Sequence, residues 1–156
     1  MTGVQTCALP IFNHTVLLVD LNLRSPSVHK HFGEDNVPGL SDYLVKNQIP
    51  ELLFNPGIDR LVVLPGNEPI AASSEYLTSP RMIELIREVK SRYDSRIVIF
   101  DLPPLLTSDD VLVVSPHIDA LLLVARDGVT KKQELQRSRE MLKDLNLIGT
   151  TLNAAG

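Results

Sequence analysis

The chain has 156 residues, 44% of them hydrophobic, which is enough for one domain with a single sizeable core. Its net charge is -4, and acidic and basic residues are interspersed, so the charge pattern does not indicate a nucleic-acid or lipid surface. The hydrophobic runs are too short to cross a membrane, and the single cysteine, Cys7, fits a reducing compartment because it cannot form an internal disulfide.

The first strong signal along the chain is a hydrophobic run that ends on an acid. Residues 16–19 are apolar without alternation, which is typical of a strand buried on both faces of a parallel sheet. Asp20 follows directly, so its carboxylate is predicted at the carboxyl edge of the sheet, where ligands of open α/β sheets bind. His29 and His31 lie in a polar segment without a nearby cysteine or third histidine, and we expect both to be solvent-exposed.

The middle of the chain alternates short elements with loops. Helical spacing of its hydrophobic residues predicts a short helix over 39–46, and an apolar run predicts a strand over 61–64. Residues 67–74 are predicted to form a surface loop. A serine cap followed by proline at the first helical position predicts a longer helix over 79–93.

A second hydrophobic run that ends on an acid follows. Residues 97–100 again lack alternation, which predicts a strand buried on both faces, and Asp101 stands at its end. Two prolines then stop the strand, because proline cannot donate a hydrogen bond to a sheet. A hydroxyl residue at 107–108 can cap a helix whose first turn holds the acids at 109–110.

The remaining signals complete the alternation of strands and helices. Residues 120–124 predict another buried strand, and Thr130 with Gln133 forms a capping-box pattern for the helix that follows. A last short strand is predicted over 149–152, with Asn153 at its end.

Five strand-like runs alternating with helices predict an α/β fold, a mostly parallel sheet with helices on both faces. In such a sheet Asp20 and Asp101 meet at one edge. Two carboxylates a few Å apart cannot both stay ionised cheaply unless a cation shares them. A magnesium ion bound to a nucleotide is the usual solution, held by one or two carboxylates and phosphate oxygens. The residues leave open the alternative of an ordinary strand end with a solvated aspartate.

Two segments resemble the Walker A-prime and Walker B segments of the bacterial tyrosine autokinases, P-loop proteins of exopolysaccharide and capsule systems related to the ParA/MinD ATPases. They are VLLVDLNLRSPSVHKHFG and VIFDLPPLLTSDD. Further segments that resemble the family are GLSDYL, LVVLPG, SSEYLTSPRM, DALLLVARDGVT and GTTLN. The resemblance implies a P-loop NTPase fold of the ParA/MinD type, truncated at its N-terminus, with residues 14–156 as a partial kinase domain.

The first segment matches the family pattern D-x-D-x-R at Asp20, Asn22 and Arg24. In the family these acids lie near the metal and the attacking tyrosine hydroxyl, which implies catalytic roles at the three positions and a metal contact for Asp20. Asn22 departs from the pattern, and an amide cannot accept a proton as a carboxylate does; the alternative is that it turns the chain. Arg24 is expected to pair with phosphate or with an acid of a neighbouring subunit, or else to be an ordinary surface arginine.

The second segment matches the pattern D-x-P-P at Asp101, Pro103 and Pro104. The resemblance implies that Asp101 contacts the metal, and that Asp101 and Pro103 belong to the nucleotide site. Asn153 stands where this class of protein contacts the adenine base. ATP and Mg²⁺ are the cofactors that the resemblance implies.

Residues 1–13, MTGVQTCALPIFN, do not match the family. In the family this place holds the first strand and the loop G-x-x-x-x-G-K-[ST], which cradles phosphates with backbone N–H groups and a lysine. The sequence contains no Gly-Lys pair, and TGVQTCALPI resembles translated sequencing-adapter DNA. We therefore interpret residues 1–13 as artefactual and expect the fragment to be inactive. A crude substitute strand over 4–12 and a gap in the sheet are both open, and both predict reduced stability.

The function that the resemblance implies is ATP-dependent autophosphorylation on tyrosine, which regulates the chain length or export of exopolysaccharide or capsule. The implied partner is the cytoplasmic face of a polysaccharide co-polymerase membrane protein, with a homo-oligomer in the full-length protein and no nucleic acid. The implied location is the cytoplasm, with membrane association through that partner or through a fused segment. A ParA/MinD-like binding switch, governed by nucleotide and without tyrosine kinase activity, is the alternative.

Overall fold

In a computed structural model of the chain, the described residues are 14–35, 37–46, 52–92 and 95–154. Their strands are β1 (Thr15–Asp20), β2 (Leu61–Leu64), β3 (Arg96–Asp101), β4 (Leu121–Arg126) and β5 (Leu147–Asn153). Their α-helices are α1 (Val28–His31), α2 (Leu40–Leu44), α3 (Ser73–Leu77), α4 (Pro80–Ser91), α5 (Asp110–Val114) and α6 (Lys132–Met141). The predictions for residues 1–13 and for a helix end at residue 93 lie outside these ranges.

All pairings between these strands are parallel, which confirms the predicted α/β class. β1 lies between β2 and β3 in a three-stranded sheet, and β4 pairs with β5 in a two-stranded sheet. The described strands therefore form two sheets, where the sequence predicts one. Among the described helices, the longest has 12 residues, and none has the length and hydrophobicity that a membrane crossing requires.

β1 is the centre of the core. Its residues from Val16 to Asp20 are all buried, and successive side chains point to opposite faces of the sheet. Leu17 and Val19 pack in one hydrophobic cluster with residues of α2 and α4. Val16 and Leu18 pack on the other face, against α1 and β2. Burial on both faces is confirmed for this strand.

The same prediction is wrong for β3 and β4, each of which is buried on one face only. Ile97 and Ile99 of β3 are 49% and 46% exposed, and Leu122 and Val124 of β4 are 56% and 57% exposed. The opposite face of β3 packs against the cluster around β1, and that of β4 packs near α6. A continuous apolar run therefore marks a strand here, but covering elements decide how much of it is buried.

The predictions for α2 and for the start of α4 are confirmed, whereas the segment over 67–74 differs from its prediction. α2 forms within the predicted range, and Ser79 caps α4 by accepting a hydrogen bond from the Met82 N–H at 3.2 Å. The prediction of a surface loop over 67–74 is wrong in part. Ile70 in this segment is buried, and its last two residues belong to α3, whose first residue, Ser73, is also buried. Packing of this segment against the core overrides its polar composition.

The caps of the last helices lie one residue or more from the predicted positions. α6 begins after Lys131, whose N–H donates to the Glu134 carboxylate at 2.8 Å, so the Thr130–Gln133 capping box is wrong. α5 begins after Asp109, and the Ser108 hydroxyl accepts from the Asp110 N–H at 3.0 Å.

Candidate active site

The two strand-end acids lie side by side. Asp20 and Asp101 are register partners on the parallel strands β1 and β3, and the pairing continues with the Leu21 N–H donating to the Asp101 carbonyl at 2.9 Å. Residues in register on neighbouring parallel strands present their side chains on the same face. The predicted meeting of two carboxyl groups at one sheet edge is therefore confirmed as geometry, and the roles of the two residues remain predictions.

Asp20 is fully buried and serves as an acceptor for the chain that follows it. Its Oδ2 accepts from the N–H groups of Ser27 and Val28 at 2.9 and 3.0 Å, and its Oδ1 accepts from the Asn22 N–H at 3.2 Å. Burial raises the pKa of this carboxyl, and the backbone hydrogen bonds oppose that rise. These hydrogen bonds connect the loop after β1 and the start of α1 to the end of the strand.

Gly66 closes over this buried carboxyl from the end of β2. Its backbone also hydrogen-bonds to Asp20 and lowers the carboxyl pKa. A Cβ at position 66 would lie 2.5 Å from the Pro26 Cβ and 3.4 Å from the Asp20 Cγ, which is too close for any side chain. This close approach is what requires a glycine at position 66.

Asp101 differs from its neighbour because it is exposed at the same edge. Partial desolvation of its carboxyl and the charge of Asp20 raise its pKa to about 6, and His31 acts in the opposite direction. A cation at this position would favour the ionised carboxylate. Asp101 is the solvent-facing member of the acidic pair.

The two histidines have different environments. His31 is exposed, as expected, and lies close enough to influence the Asp101 carboxyl. The prediction for His29 is wrong, because this residue is only 2% exposed. Its Nδ1 has no hydrogen-bond partner within the described ranges, and burial lowers its pKa. The polar neighbours of His29 in sequence concealed its burial.

Asn22 and Arg24 lie in the loop that Asp20 fastens. The Asn22 carbonyl accepts from the Ser25 N–H at 3.0 Å, which places Asn22 at the start of a turn, and the role of its side chain stays a prediction. The Arg24 Nε donates to Asp110 at 3.3 Å, and its Nη2 donates to Ser74 at 3.4 Å. Within the single chain, the acid that pairs with Arg24 is therefore Asp110, and a pairing with an acid of a neighbouring subunit stays a prediction. Contact with phosphate remains a prediction.

Pro103 and Asn153 lie at or just beyond the ends of strands that belong to different sheets. Pro103 is buried directly after the acidic edge. Asn153 is exposed at the end of β5, where it pairs in register with Arg126, and its side chain accepts from the Ala154 N–H at 2.9 Å. Pro103 thus follows the acidic pair on β3, whereas Asn153 belongs to the second sheet.

The chemistry of the acidic edge suits a divalent ion that keeps part of its water shell. No group of three or more metal-ligating side chains is found in the part of the chain that the structure describes. Magnesium does not need one, because it keeps several waters and takes one or two carboxylates plus phosphate oxygens. Asp101 suits this chemistry as an exposed carboxylate. The oxygens of buried Asp20 accept from backbone N–H groups, and its contact with the metal stays a prediction.

Comparisons with known proteins agree with this geometry, although no protein-family model matches the chain. The chain is 36% identical over 124 residues to the tyrosine-protein kinase wzc of Salmonella typhi, which covers 79% of this chain. It is 33% identical over 141 residues to the tyrosine-protein kinase YwqD of Bacillus subtilis, which covers 88% of this chain. The chain spans 17% of the length of the first relative and 59% of the second.

Solved structures show the same fold. The kinase domain of the Escherichia coli tyrosine kinase ETK superposes with a TM-score of 0.79 at 31% identity, over 91% of this chain and 58% of that chain. The septum site-determining protein MinD from Pyrococcus horikoshii, complexed with Mg-ADP, superposes with a TM-score of 0.65 at 20% identity, over 91% of this chain and 58% of that chain.

The parallel strands and the acidic pair, together with these likenesses, define a P-loop NTPase fold of the ParA/MinD type. Within that class, the sequence relatives and the ETK kinase domain distinguish one branch. The predicted resemblance of the chain to the bacterial tyrosine kinases is confirmed.

Proposed function

We propose that residues 14–156 are part of the catalytic domain of a bacterial protein tyrosine kinase, which transfers the γ-phosphoryl group of ATP to tyrosine. The observation that carries this proposal is the register pairing of Asp20 with Asp101 at one sheet edge. It occurs in a chain that is 33% and 36% identical to proteins named tyrosine-protein kinases.

The acidic pair has a divided role in this proposal. Phosphoryl transfer depends on positioning and on neutralising charge, and bound Mg²⁺ supplies that neutralisation at the phosphate oxygens. Asp101, the exposed carboxylate of the pair, would hold the ion, and at neutral pH it is ionised because its pKa is about 6. Asp20 keeps the loop that carries Asn22 and Arg24 in place, and its own contact with the ion is part of the proposal.

The loop residues and the nucleotide contacts complete the proposed site. Arg24, whose side chain is 47% exposed, presents its guanidinium to a phosphoryl oxygen. Asn22 orients the loop and the substrate by hydrogen bonding, since its amide cannot accept a proton as a carboxylate does. Pro103 shapes the nucleotide site beside Asp101, and Asn153 contacts the adenine base of ATP.

The wider role is proposed from the likeness to these kinases. We propose that the kinase regulates exopolysaccharide or capsule chain length or export, and that it acts at the cytoplasmic face of a polysaccharide co-polymerase membrane protein. It is a homo-oligomer in the full-length protein, and a partner or a fused segment holds it at the membrane.

A chimera tests the proposed function. Residues 1–13 are replaced by the upstream strand, P-loop and helix of the Bacillus subtilis relative, and phosphotyrosine is measured with Mg-ATP and a tyrosine-containing polymer. We expect phosphotyrosine from the chimera and negligible heat when Mg-ATP is titrated into the original chain. Asp101→Asn should lower the chimera's rate on the order of 100-fold, whereas Asp109→Asn, an exposed acid nearby, should not change it.

Two results would count against this assignment. An unchanged rate in the Asp101→Asn chimera would remove the proposed metal role of that carboxylate. Nucleotide binding without any phosphotyrosine would favour the binding switch of the ParA/MinD type.

A further inference from the structure

A buried carboxylate outside the acidic pair joins three separate segments of the chain. Asp110, the first residue of α5, is 0% exposed. It accepts from the Ser73 hydroxyl at 2.7 Å, from the Ser74 hydroxyl at 2.6 Å and from the Arg24 Nε at 3.3 Å. The sequence motifs assign nothing to Asp110 beyond a place in the first turn of a helix.

The charge on Asp110 is maintained by these donors. Burial alone would raise its pKa, but the hydrogen bonds from Ser74, Ser73 and Arg24 outweigh it and place the pKa below its ordinary value. α5 has only five residues, so the start of a short helix does not account for three side-chain donors that converge on one carboxylate. The three donors that converge on Asp110 indicate that this carboxylate fixes the position of a side chain bound to it.

Arg24 is the half-exposed member of this group. Its Nε is bound by Asp110, and its Nη2 donates to Ser74, which itself donates to Asp110. Two sides of the guanidinium are thus fixed, while the side chain is still 47% exposed. Among the described residues nothing bonds to Nη1, which remains available for an anionic group. A free arginine side chain would lose considerable rotamer entropy on binding such a group, whereas a held one would not.

We infer that Asp110 is a positioning residue that orients the Arg24 guanidinium at the carboxyl edge of β1 and β3. Ser74 completes the clamp, and the exposed nitrogen of Arg24 is directed at a phosphate oxygen. The catalytic consequence rests on the proposed kinase function, but the orientation of Arg24 does not.

The first test uses the chain itself, labelled with ¹⁵N, and follows the Nε–Hε resonance of Arg24. We expect Asp110→Asn to move this resonance toward that of a free arginine and to speed its exchange with water, because the isosteric amide keeps a partner for each serine but loses the charge. Asp109→Asn is the matched control. Ser73→Ala should lower the urea midpoint without moving the resonance, since Ser73 contacts Asp110 and not Arg24.

An Arg24 resonance that is unchanged in Asp110→Asn would overturn the inference. Should that variant fail to fold, Ser74→Ala takes its place, because it keeps the Asp110 charge and removes the Nη2 contact. A smaller shift of the same resonance supports the clamp, and no shift overturns it.

The second test uses the P-loop chimera. We expect Asp110→Asn to lower kcat roughly tenfold with little change in KM for ATP, since a misplaced catalytic group slows the step more than it weakens binding. An unchanged kcat would overturn the catalytic consequence. A parent chimera without phosphotyrosine would instead overturn the proposed function, and the Arg24 resonance would still decide the positioning role.

Discussion

Two strands of nearly identical sequence have opposite environments in this protein. Val-Leu-Leu-Val at 16–19 in β1 is at most 8% exposed, whereas Leu-Leu-Leu-Val at 121–124 in β4 exposes Leu122 and Val124 by more than half. β1 has a strand on each side and packing on both faces, and β4 has one strand neighbour and one packed face among the described elements. Burial is therefore set by the neighbours of a strand and not by its own residues.

The difference extends to the residues at the ends of these strands. Asp20, at the end of β1, is buried and accepts hydrogen bonds from the backbone N–H groups of the loop that follows it. Arg126 and Asn153, at the ends of β4 and β5, are exposed. At the carboxyl edge of the three-stranded sheet, hydrogen bonds therefore hold the Asp20 side chain in a defined position.

The largest expected effect compares the two hydrophobic runs directly. Leu17→Ala should destabilise the chain by about 3–5 kcal/mol, because it leaves a cavity at a fully buried position. Leu122→Ala, the matched change in β4, should cost less than about 1 kcal/mol. Urea unfolding measures both values. Equal losses would mean that β1 and β4 have the same burial in solution, which would contradict the structure.

The next effect separates the two aspartates. Asp20→Asn should lower the free energy of unfolding by about 2–3 kcal/mol, since an amide cannot accept all the backbone hydrogen bonds that the carboxylate accepts. Asp101→Asn should have little effect on stability at pH 7 or be slightly stabilising, because its charge is disfavoured beside Asp20. Denaturant midpoints at pH 7 provide the check, and a larger loss for Asp101→Asn would reverse our division of roles.

A smaller effect concerns two glycines. Gly66→Ala should destabilise the chain by about 1–3 kcal/mol, because its Cβ would meet Pro26 at 2.5 Å. Gly149→Ala in β5 is the control, since its Cβ would lie 3.9 Å from Leu122, an ordinary contact. Thermal unfolding of the two variants should differ, and a tolerated Gly66→Ala would show that the cover over Asp20 is loose.

The smallest effect is a pH dependence. The pKa of Asp101 is about 6 in the folded state and 3.8 in the reference state, so the folded state binds the proton more tightly. Its contribution to stability is full below pH 3.8 and is lost as pH rises through 6. Urea midpoints between pH 4 and 7 should therefore fall less steeply in Asp101→Asn than in the parent. Parallel pH profiles would contradict the raised pKa.

Much of this fold could be predicted from the sequence, because hydrophobic runs bounded by acids, prolines and glycines mark the strands without reference to other segments. β2 and the ends of β1 and β3 were predicted in this way. The pairing of Asp20 with Asp101 followed from assuming parallel neighbours.

Long-range contacts could not be predicted. The partner of Arg24 is 86 residues away in sequence, and no local pattern links it to Asp110. The burial of His29 and Ser73 depends on elements that pack over polar segments, and the exposed face of β4 depends on the absence of a covering element among the described residues. Contacts and burial of this kind depend on segments that are distant in sequence, so local residue patterns do not predict them.

The central claim, that Asp101 contacts a divalent ion, is tested most directly by changing the metal preference. In the P-loop chimera, Asp101→Cys replaces a hard oxygen ligand with a soft thiolate, which favours Cd²⁺ over Mg²⁺. We predict that this variant forms little phosphotyrosine with Mg²⁺ and gains roughly tenfold or more on addition of Cd²⁺, while the parent chimera gains nothing. A variant that works equally well with Mg²⁺, or that Cd²⁺ fails to restore, would contradict the assignment.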